Sequence, residues 1–273
     1  MYRNTYVEIN LKNVENNVRK IINNYTNYEY YFGVVKADSY GHNDLKTVQA
    51  IVNGGCNYLC VATLDEAIEI RKELKEIPIL CLGIINKDYI QICAKENITV
   101  TISSLNYMKE LEKVNVENLK AHLKINTGMN RLGIKQKEEL KQVYEIAKNK
   151  NIDIEGIYTH IYEASSKEKY EKQLQKFEEI TQVISLDKIK IVHISASEAI
   201  TNYHIPEKVN GCRLGIIMYG FTDKKELELK STFKLKSEII QINNLKIGET
   251  VGYNGTYTAT KNEKIAVIPI RLC

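Results

Sequence analysis

Short apolar runs alternate along the chain with stretches that have a helical spacing of apolar positions. Eight of the runs predict strands, and they are nearly continuously apolar, as expected of strands covered on both faces of a sheet. They are residues 30–37, 57–63, 78–83, 98–103, 120–126, 153–161, 190–196 and 212–220. Strands that alternate with helices in this way are typical of an α/β fold.

The segments between the runs predict amphipathic helices. In residues 135–150, Leu140, Val143, Tyr144 and Ala147 fall at i, i+3, i+4 and i+7, which is one apolar stripe on a helix. Comparable stripes occur in residues 11–22 and 166–185.

Eight strands, most of them followed by a helix, predict parallel pairing through right-handed crossovers. The count favours a (β/α)8 TIM barrel over residues 11–230, with its chemistry on the loops at the carboxyl ends of the strands. The alternative is an open doubly wound sheet, which would be favoured by a Gly-rich fingerprint after its first strand. No such fingerprint follows residues 30–37.

The pattern of apolar and polar positions changes after about residue 230. Residues 231–273 alternate between apolar and polar positions, contain Gly-rich turns and lack a helical period. They predict the start of a separate C-terminal β-domain, and the strand-like segment 1–10, which has no barrel partner, is expected to join it. A β-domain of roughly 40 residues lies at the lower limit of what can hold a core. Because the chain stops three residues after the apolar run 265–270, we expect this domain to be truncated.

Composition limits the class of protein. The 273 residues are 44% hydrophobic and carry a net charge of +4, which fits one large domain, alone or with a partial second one. Lys and Arg number 38 against 34 Asp and Glu, without a long run of one sign, so no nucleic-acid binding is expected. The N-terminus has no apolar signal-peptide region and no stretch reaches about 18 apolar residues, so we expect neither secretion nor a membrane span.

Cysteine usage predicts a reducing compartment. The six cysteines are Cys56, Cys60, Cys81, Cys93, Cys212 and Cys273. Cys56 and Cys60 lie close together in sequence, but no second pair and no nearby histidine completes a zinc pattern. We therefore expect free structural thiols, no metal site and a cytoplasmic location.

Polar residues follow the predicted strands at their carboxyl ends. A lone lysine or arginine there is usually a surface residue, and a lone histidine is usually a structural one. The set as a whole argues otherwise, because the carboxyl ends of barrel strands converge on one mouth, which is the default place for a site. Its members are Lys36, Tyr40, Asn126, Arg131, His160, His193, Ser197 and Arg213.

Lys36 is the residue of this set with the most distinctive chemistry. A lysine amine that is withdrawn from water beside other cations loses its proton readily and becomes a nucleophile. Such amines form Schiff bases with carbonyl compounds, among them pyridoxal 5'-phosphate (PLP). Backbone N–H groups at Gly-containing turns after the late strands suit a phosphate, and Ser197, Gly215 and Ile216 lie at such places.

Six motifs, taken in order, resemble those of alanine racemase, a PLP-dependent family of fold type III that joins a barrel to a C-terminal β-domain. They are VVKADSYGH (34–42), LKINTGMNRLGI (123–134), GIYTHI (156–161), HISAS (193–197), RLGIIMYG (213–220) and VGYNGTYTA (251–259). The lysine motif and GMNRLG are specific, and the resemblance covers essentially the whole chain.

The resemblance implies a role for each matching residue. Lys36 would hold PLP as an internal aldimine and act as the base on the D-face of the substrate. Tyr40 would contact the PLP phosphate, and Arg131 would bind near the phenolic oxygen of PLP and the substrate carboxylate. Lys124 matches a position that is often carbamylated in the family, a modification that neutralises the lysine and fixes the arginine. His160 would lie beside the pyridine ring.

The late strands supply the remaining implied contacts. Ser197 and the backbone of Gly215 and Ile216 would bind the phosphate, while Arg213, oriented by His193, would face the pyridine nitrogen. A cation there keeps that nitrogen unprotonated, which disfavours transamination and favours simple proton removal and return at Cα. Related barrel decarboxylases would want an acid at this position, so Arg213 argues against them.

Three departures from the family pattern affect the expected activity. Ala196 stands where the family usually has an asparagine, and Leu214 replaces a proline. In the family, the IPI sequence is followed by GYADG, whose tyrosine is the second base, on the L-face, supplied by the other subunit; here residues 271–273 follow instead. Because racemisation needs a base on each face, we expect impaired or absent activity unless Tyr253 or Tyr257 substitutes.

These observations lead to a ranked set of hypotheses. The first is racemisation of L-alanine to D-alanine for the supply of peptidoglycan precursors, in a family that forms homodimers. The second is a racemase of serine or another small amino acid. The others are a non-catalytic PLP-binding barrel, against which the β-strands after residue 230 argue, and a gene fragment.

Overall fold

The structure, a computed structural model, describes residues 4–42 and 45–270 of the chain. It divides into two compact units, one of residues 11–232 and the other of residues 1–10 with 233–273. Two predictions fall on residues 271–273 and lie outside the described residues: the free thiol of Cys273 and the departure from the family pattern after Ile270.

The described strands and helices alternate in the larger unit, and the smaller unit contains strands. The strands are β1 Tyr6–Ile9, β2 Tyr30–Val34, β3 Tyr58–Val61, β4 Ile79–Cys81, β5 Ile98–Ile102, β6 Lys120–Lys124, β7 Asp153–Tyr158, β8 Ile191–Ala196, β9 Gly211–Leu214, β10 Phe233–Lys236, β11 Gln241–Leu245, β12 Thr250–Val251, β13 Tyr257–Thr258 and β14 Glu263–Val267. The helices are α1 Leu11–Asn24, α2 Lys36–Gly41, α3 Leu45–Asn53, α4 Leu64–Glu73, α5 Ile90–Lys95, α6 Leu105–Glu112, α7 Lys137–Asn149, α8 Lys167–Thr181 and α9 Ser197–Asn202.

Strands β2 to β9 form a closed barrel in sequence order, with every neighbouring pair parallel. The TIM-barrel prediction is confirmed, and the alternative of an open sheet is wrong because β2 pairs with β9. Apolar side chains fill both sides of the barrel wall, and those inside it include Phe32, Tyr58 and Leu80.

The predicted helical stripes are buried against the outside of the barrel. In α7, Leu140, Val143 and Ala147 are buried, as the spacing predicts. Five cysteines, Cys56, Cys60, Cys81, Cys93 and Cys212, are buried free thiols. None of the helices within the described ranges is long and apolar enough to cross a membrane.

Seven of the eight barrel strands end earlier than predicted, and three of them end at least three residues earlier. The first barrel strand ends at Val34, two residues before Lys36, because the chain turns there into α2. The run 153–161 is a strand only as far as Tyr158, and the last barrel strand ends at Leu214. Residues 216–219 form a short 3₁₀-helix instead, which begins after Gly215 leaves the extended conformation with φ −110° and ψ −120°.

The smaller unit contains the predicted β-structure. Strand β1 pairs antiparallel with β10, with Tyr6 opposite Lys236 and Ile9 opposite Phe233. Strands β11 and β14 form a second antiparallel pair, and the short strands β12 and β13 form a third.

Candidate functional site

A cavity of about 530 Å³ opens at the carboxyl ends of the barrel strands. Four cationic residues, contributed by different strand–helix connections and strands, line this one cavity. They are Lys36, Lys124, Arg131 and Arg213. Tyr40, His160, Ser197, Gly215 and Ile216 also line it. Two residues of the predicted set do not: His193 is fully buried behind Arg213, and Asn126 is buried in the loop before Arg131. The convergence of these polar groups makes the cavity the candidate active site.

Lys36 projects from an unusual turn of left-handed helix. The residues Ala37, Asp38, Ser39 and Tyr40 all have φ between 52° and 56°, a conformation that costs roughly 1–2 kcal/mol for each residue other than glycine. The turn is held because the backbone N–H of Ala37 donates to Glu66 Oε1 at 2.8 Å and that of Ser39 donates to the Val35 carbonyl at 3.0 Å. Glu66 therefore fixes the backbone directly after the lysine.

Arg131 is presented by a tightly closed loop between β6 and α7. The N–H groups of Gly128 and Asn130 donate to Asn126 Oδ1 at 3.0 and 3.2 Å, and the Asn126 N–H donates to the Ile134 carbonyl at 2.9 Å. These bonds close the loop on itself, so the exposed Arg131 side chain starts from a fixed backbone.

Lys124, the last residue of β6, is only 7% exposed. Its Nζ lies 5.3 Å from the centre of the Tyr158 ring, a cation–π distance. Burial, together with the nearby charges of Arg213, Arg131 and Lys36, lowers the pKa of Lys124 to about 8. A substantial fraction of this amine is therefore neutral under mildly alkaline conditions.

Arg213 is the most deeply buried cation of the site, at 4% exposure. One terminal nitrogen donates to His193 Nδ1 at 2.8 Å and to the His193 carbonyl at 3.0 Å. The other donates to the carbonyls of Thr159 and Ile194 at 2.7 and 3.1 Å and to His160 Nδ1 at 3.2 Å. These bonds fix the guanidinium group on both sides, and burial lowers its pKa.

His160 is held in its neutral form. Burial first, and then the positive charges of Arg213, Lys124 and Arg131, lower its pKa from 6.5 to about 3. Because its Nδ1 accepts a hydrogen bond from Arg213, the ring proton of the neutral form is on Nε2.

A small cradle for an anion lies at the wall formed by β8 and β9. The Gly215 N–H donates to Ser197 Oγ at 3.1 Å. A Cβ built on Gly215 would lie 3.4 Å from both Ser197 Oγ and the Tyr40 hydroxyl. Two hydroxyls therefore converge on a backbone that lacks a side chain, an arrangement that suits a phosphate group.

The residues singled out as departures have defined places in the structure. Ala196 lines the cavity, while Leu214 is fully buried in the barrel wall. Tyr253 is 95% exposed in the smaller unit, and the Tyr257 hydroxyl donates to Glu263 at 2.7 Å.

Two residues that contribute to the site are not predicted from the sequence. Tyr158 lies under both Lys124 and Arg213, with the Arg213 guanidinium carbon 5.4 Å from its ring centre. In the sequence it cannot be distinguished from an ordinary strand residue, and only the barrel register shows that its ring faces the cavity. Glu66 could have been found as the N3 position of a capping box with Thr63, although that pattern does not reveal its bond to Ala37.

Comparisons with known proteins agree with this geometry. The family model described as alanine racemase, N-terminal domain, matches residues 9–223, and that described as alanine racemase, C-terminal domain, matches residues 232–270. Alanine racemase of Halalkalibacterium halodurans is 33% identical over 98% of this chain and 73% of its own length. Alanine racemase 1 of Bacillus subtilis is 34% identical over 98% of this chain and 71% of its own length.

The same likeness holds in three dimensions. The crystal structure of alanine racemase from E. faecalis matches with a TM-score of 0.90 at 31% identity, over 98% of this chain and 75% of that chain. Both domain models, these relatives and the barrel with its cationic cavity lead to one assignment: the chain belongs to the alanine racemase family.

Proposed function

We propose that this chain interconverts L-alanine and D-alanine with PLP bound covalently to Lys36. The observation that carries the proposal is the position of this one amine in a cavity that also holds an anion cradle and three further cations. The family relatives support alanine as the substrate and do not favour the alternatives of another amino acid or a non-catalytic barrel.

The residues of the cavity fit PLP. Lys36 would carry its carbonyl carbon, and the Gly215 backbone with the Ser197 and Tyr40 hydroxyls would hold its phosphate. Arg213 would lie at its pyridine nitrogen. The cavity of about 530 Å³ is of the size expected for a cofactor together with a small substrate.

When bound, PLP would withdraw electrons from the amino acid and make its Cα–H acidic. Lys36 would take the Cα proton on one face and return it. Arg131 would balance the negative charge of the substrate carboxylate, and Lys124 would support Arg131. Arg213 would present a cation to the ring nitrogen and so keep that nitrogen unprotonated, which would favour proton return at Cα over transamination.

Racemisation also requires proton transfer on the opposite face of Cα. Proton exchange and inversion can be measured separately on the chain as it stands. With alanine deuterated at Cα, loss of deuterium together with formation of the other enantiomer indicates two working bases. Loss of deuterium without inversion indicates that Lys36 works alone.

Covalent attachment is the direct test of the proposal. Protein reconstituted with PLP is reduced with borohydride, digested and examined by mass spectrometry, which should locate the pyridoxyl group on Lys36. The variant Lys36→Ala should lose the label, whereas Lys141→Ala, an exposed lysine on α7, should keep it. Labelling at another lysine or no labelling would reject the proposal, and turnover of L-alanine against L-serine would test substrate choice.

The setting of the enzyme forms part of the same proposal. The enzyme would supply D-alanine for peptidoglycan in the cytoplasm. The cytoplasmic location is consistent with five buried free thiols, which suit a reducing compartment. A homodimer is implied by the family resemblance, and the molecular mass in solution tests it.

A further inference from the structure

A file of buried polar groups runs from the cavity through the interior of the barrel to its opposite end. It begins at Arg213 in the cavity wall and continues to His193, whose Nε2 lies 2.9 Å from His122 Nδ1. His122 Nε2 in turn faces Glu155 Oε2 at 3.7 Å. Glu155 also accepts a hydrogen bond at 3.1 Å from Lys190, whose side chain is 61% exposed at the amino-terminal end of the barrel strands.

The hydrogen bonds in this file all have the same direction. A guanidinium group can only donate, so His193 Nδ1 must accept from Arg213 and carry no proton. The proton of a neutral His193 is then on Nε2 and is donated to His122 Nδ1. His122 must likewise carry its proton on Nε2, where it points toward Glu155.

Both imidazoles are neutral and tightly enclosed. His122 and His193 are fully buried, and burial lowers the pKa of each below its ordinary value. The His193 ring is stacked between Phe32 and Tyr158, with centroid distances of 4.5 and 4.6 Å and angles of 16° in both cases. The rings therefore cannot rotate to exchange their nitrogens without disturbing the barrel core.

The His122 ring fits only because its neighbour on β7 is a glycine. A Cβ on Gly156 would lie 2.5 to 2.7 Å from three of the ring atoms. Among the described residues, His122 Nε2 is one of three buried side-chain atoms without a hydrogen-bond partner. The separation of 3.7 Å from Glu155 is longer than a direct hydrogen bond, so the attraction is that of an N–H dipole to a nearby charge.

Glu155 supplies that charge. It is 6% exposed, and the Tyr58 hydroxyl donates to it at 2.9 Å. Burial acts to raise its pKa, but the interactions with His122, Lys190 and Tyr58 outweigh burial and hold the pKa at about 2. Glu155 is therefore a carboxylate at every pH at which the enzyme would work.

We infer that Glu155 and His122 are positioning residues for the active site, which act through His193 to hold Arg213 in place. The charge of Glu155 favours the Nε2–H form of His122, which then can only accept at Nδ1 and so requires the Nε2–H form of His193. With the opposite tautomer, His193 would present an N–H to an Arg213 N–H, and two donors would repel each other. The consequence for catalysis rests on the proposed role of Arg213, whereas the tautomers themselves do not.

The tautomers can be read directly in cofactor-free protein. The chain has five histidines, and two-bond ¹H–¹⁵N spectra of ¹⁵N-histidine-labelled protein distinguish Nδ1–H from Nε2–H. Single histidine-to-glutamine variants assign the signals. We expect both His122 and His193 as neutral Nε2–H forms, and finding either ring as Nδ1–H or doubly protonated would overturn the inference even if PLP attachment to Lys36 were proved.

Two variants separate the charge of Glu155 from its packing. Glu155→Gln keeps the shape and removes the charge, and it should give a detectable Nδ1–H population at His193, whereas Tyr58→Phe removes one partner of Glu155 but keeps the charge and should not. If His193 keeps a single unchanged tautomer in Glu155→Gln, the inference fails. Should Glu155→Gln not fold, Glu155→Asp, which shifts the charge without removing it, is compared with the wild type for movement of the His122 signal, and an unmoved signal counts against the inference.

Catalysis provides a second readout in the PLP-loaded enzyme. In Glu155→Gln, displacement of Arg213 should lower kcat by roughly tenfold or more. The KM for alanine should change little, because Arg213 does not hold the substrate carboxylate in the proposed arrangement. Glu155→Asp should recover part of the lost kcat. A rise in KM at constant kcat would contradict a role through Arg213 and would leave the tautomer result to stand or fall on its own.

Discussion

The replacement of Lys124 by methionine should stabilise the cofactor-free protein. Lys124 is 7% exposed and lies in the field of Arg213, Arg131 and Lys36. Within residues 4–42 and 45–270, no carboxylate forms an ion pair with it. Methionine preserves much of the length and apolar volume of the side chain, so the substitution mainly removes an unfavourable buried charge.

The size of the effect follows from the pKa. Lowering the pKa of Lys124 from 10.5 to about 8 costs the folded state about 3 kcal/mol while the amine is charged, at ~1.36 kcal/mol per pKa unit. Loss of the contact with the Tyr158 ring, 5.3 Å away, would reduce the gain in stability by about 1 kcal/mol. We expect Lys124→Met to be more stable than the wild type by about 2 kcal/mol at pH 7.

The difference should depend on pH in a defined direction. Between pH values of about 8 and 10.5 the unfolded chain holds the lysine proton and the folded chain does not, so the wild type gains stability as the pH rises. The advantage of Lys124→Met should therefore be full below pH 8 and should fall to near zero at about pH 10.

Urea unfolding followed by circular dichroism, at a series of pH values and in bicarbonate-free buffer, measures this difference. Lys141→Met, at an exposed position on α7, removes the same charge without desolvation and should change stability by less than about 0.5 kcal/mol. Added bicarbonate, which would allow carbamylation of Lys124, should stabilise the wild type but not Lys124→Met. A destabilised Lys124→Met at pH 7 in bicarbonate-free buffer, or an advantage that persists unchanged at pH 10, would refute the reasoning.

Three other substitutions test separate parts of the barrel. His160→Asn should reduce the loss of stability on acidification by about 1.4 kcal/mol per pH unit between pH 6 and 4, because the pKa of His160 is about 3 when folded and 6.5 when unfolded, so that only the unfolded chain binds a proton there; acid titration of the unfolding free energy measures it. Arg71→Lys keeps the charge but cannot reach the four backbone carbonyls that Arg71 binds at 2.8 to 3.0 Å, and urea unfolding should show a loss of roughly 2–4 kcal/mol. Gly133→Ala places a Cβ 2.7 Å from the Asn126 backbone nitrogen at a φ of +124°, which should cost roughly 2–4 kcal/mol and raise the KM for alanine, and an unchanged KM would argue that the loop does not place Arg131.

The barrel could be predicted from the sequence because each of its strands is a nearly continuous apolar run. Parallel strands that are covered on both faces have this character, and the helices between them show their own period. The site residues could be found for a related reason: a polar residue that follows such a run lies at the barrel mouth wherever the strand ends. This is why Lys36 and Arg131 both line the cavity although the strands before them end two or more residues earlier than predicted.

The conformation of the turn at Lys36 could not be predicted. Left-handed backbone is normally signalled by glycine or asparagine, but of the five consecutive residues with positive φ only the last, Gly41, is a glycine, and the others are Ala37, Asp38, Ser39 and Tyr40. None of these four favours that conformation by itself to the extent that glycine does. The turn is imposed by long-range bonds, such as that between Ala37 and Glu66, which a local pattern does not contain.

The buried file beneath Arg213 was also invisible in the sequence, for a different reason. His122 and Glu155 lie within strands that read as ordinary apolar runs with occasional polar residues, and such residues are usually assigned to a solvent-exposed face. Only the register of the barrel, with His122 opposite Gly156, shows that the polar side chains point inward. The glycine was a usable signal, because a glycine inside a strand often marks a place where another group approaches closely.

The cavity and the buried file beneath it differ in their charge. Four cations line one cavity of about 530 Å³, and Glu198 is an acidic residue on its wall. Their mutual repulsion destabilises the cofactor-free barrel, and a ligand that brings a phosphate and a carboxylate would relieve it. The stabilisation expected for Lys124→Met should therefore shrink once such a ligand is bound. Glu155 has a different effect, because it lies too deep to neutralise the cavity. It can fix the hydrogen-bond direction at Arg213 without filling the space that an anion must occupy.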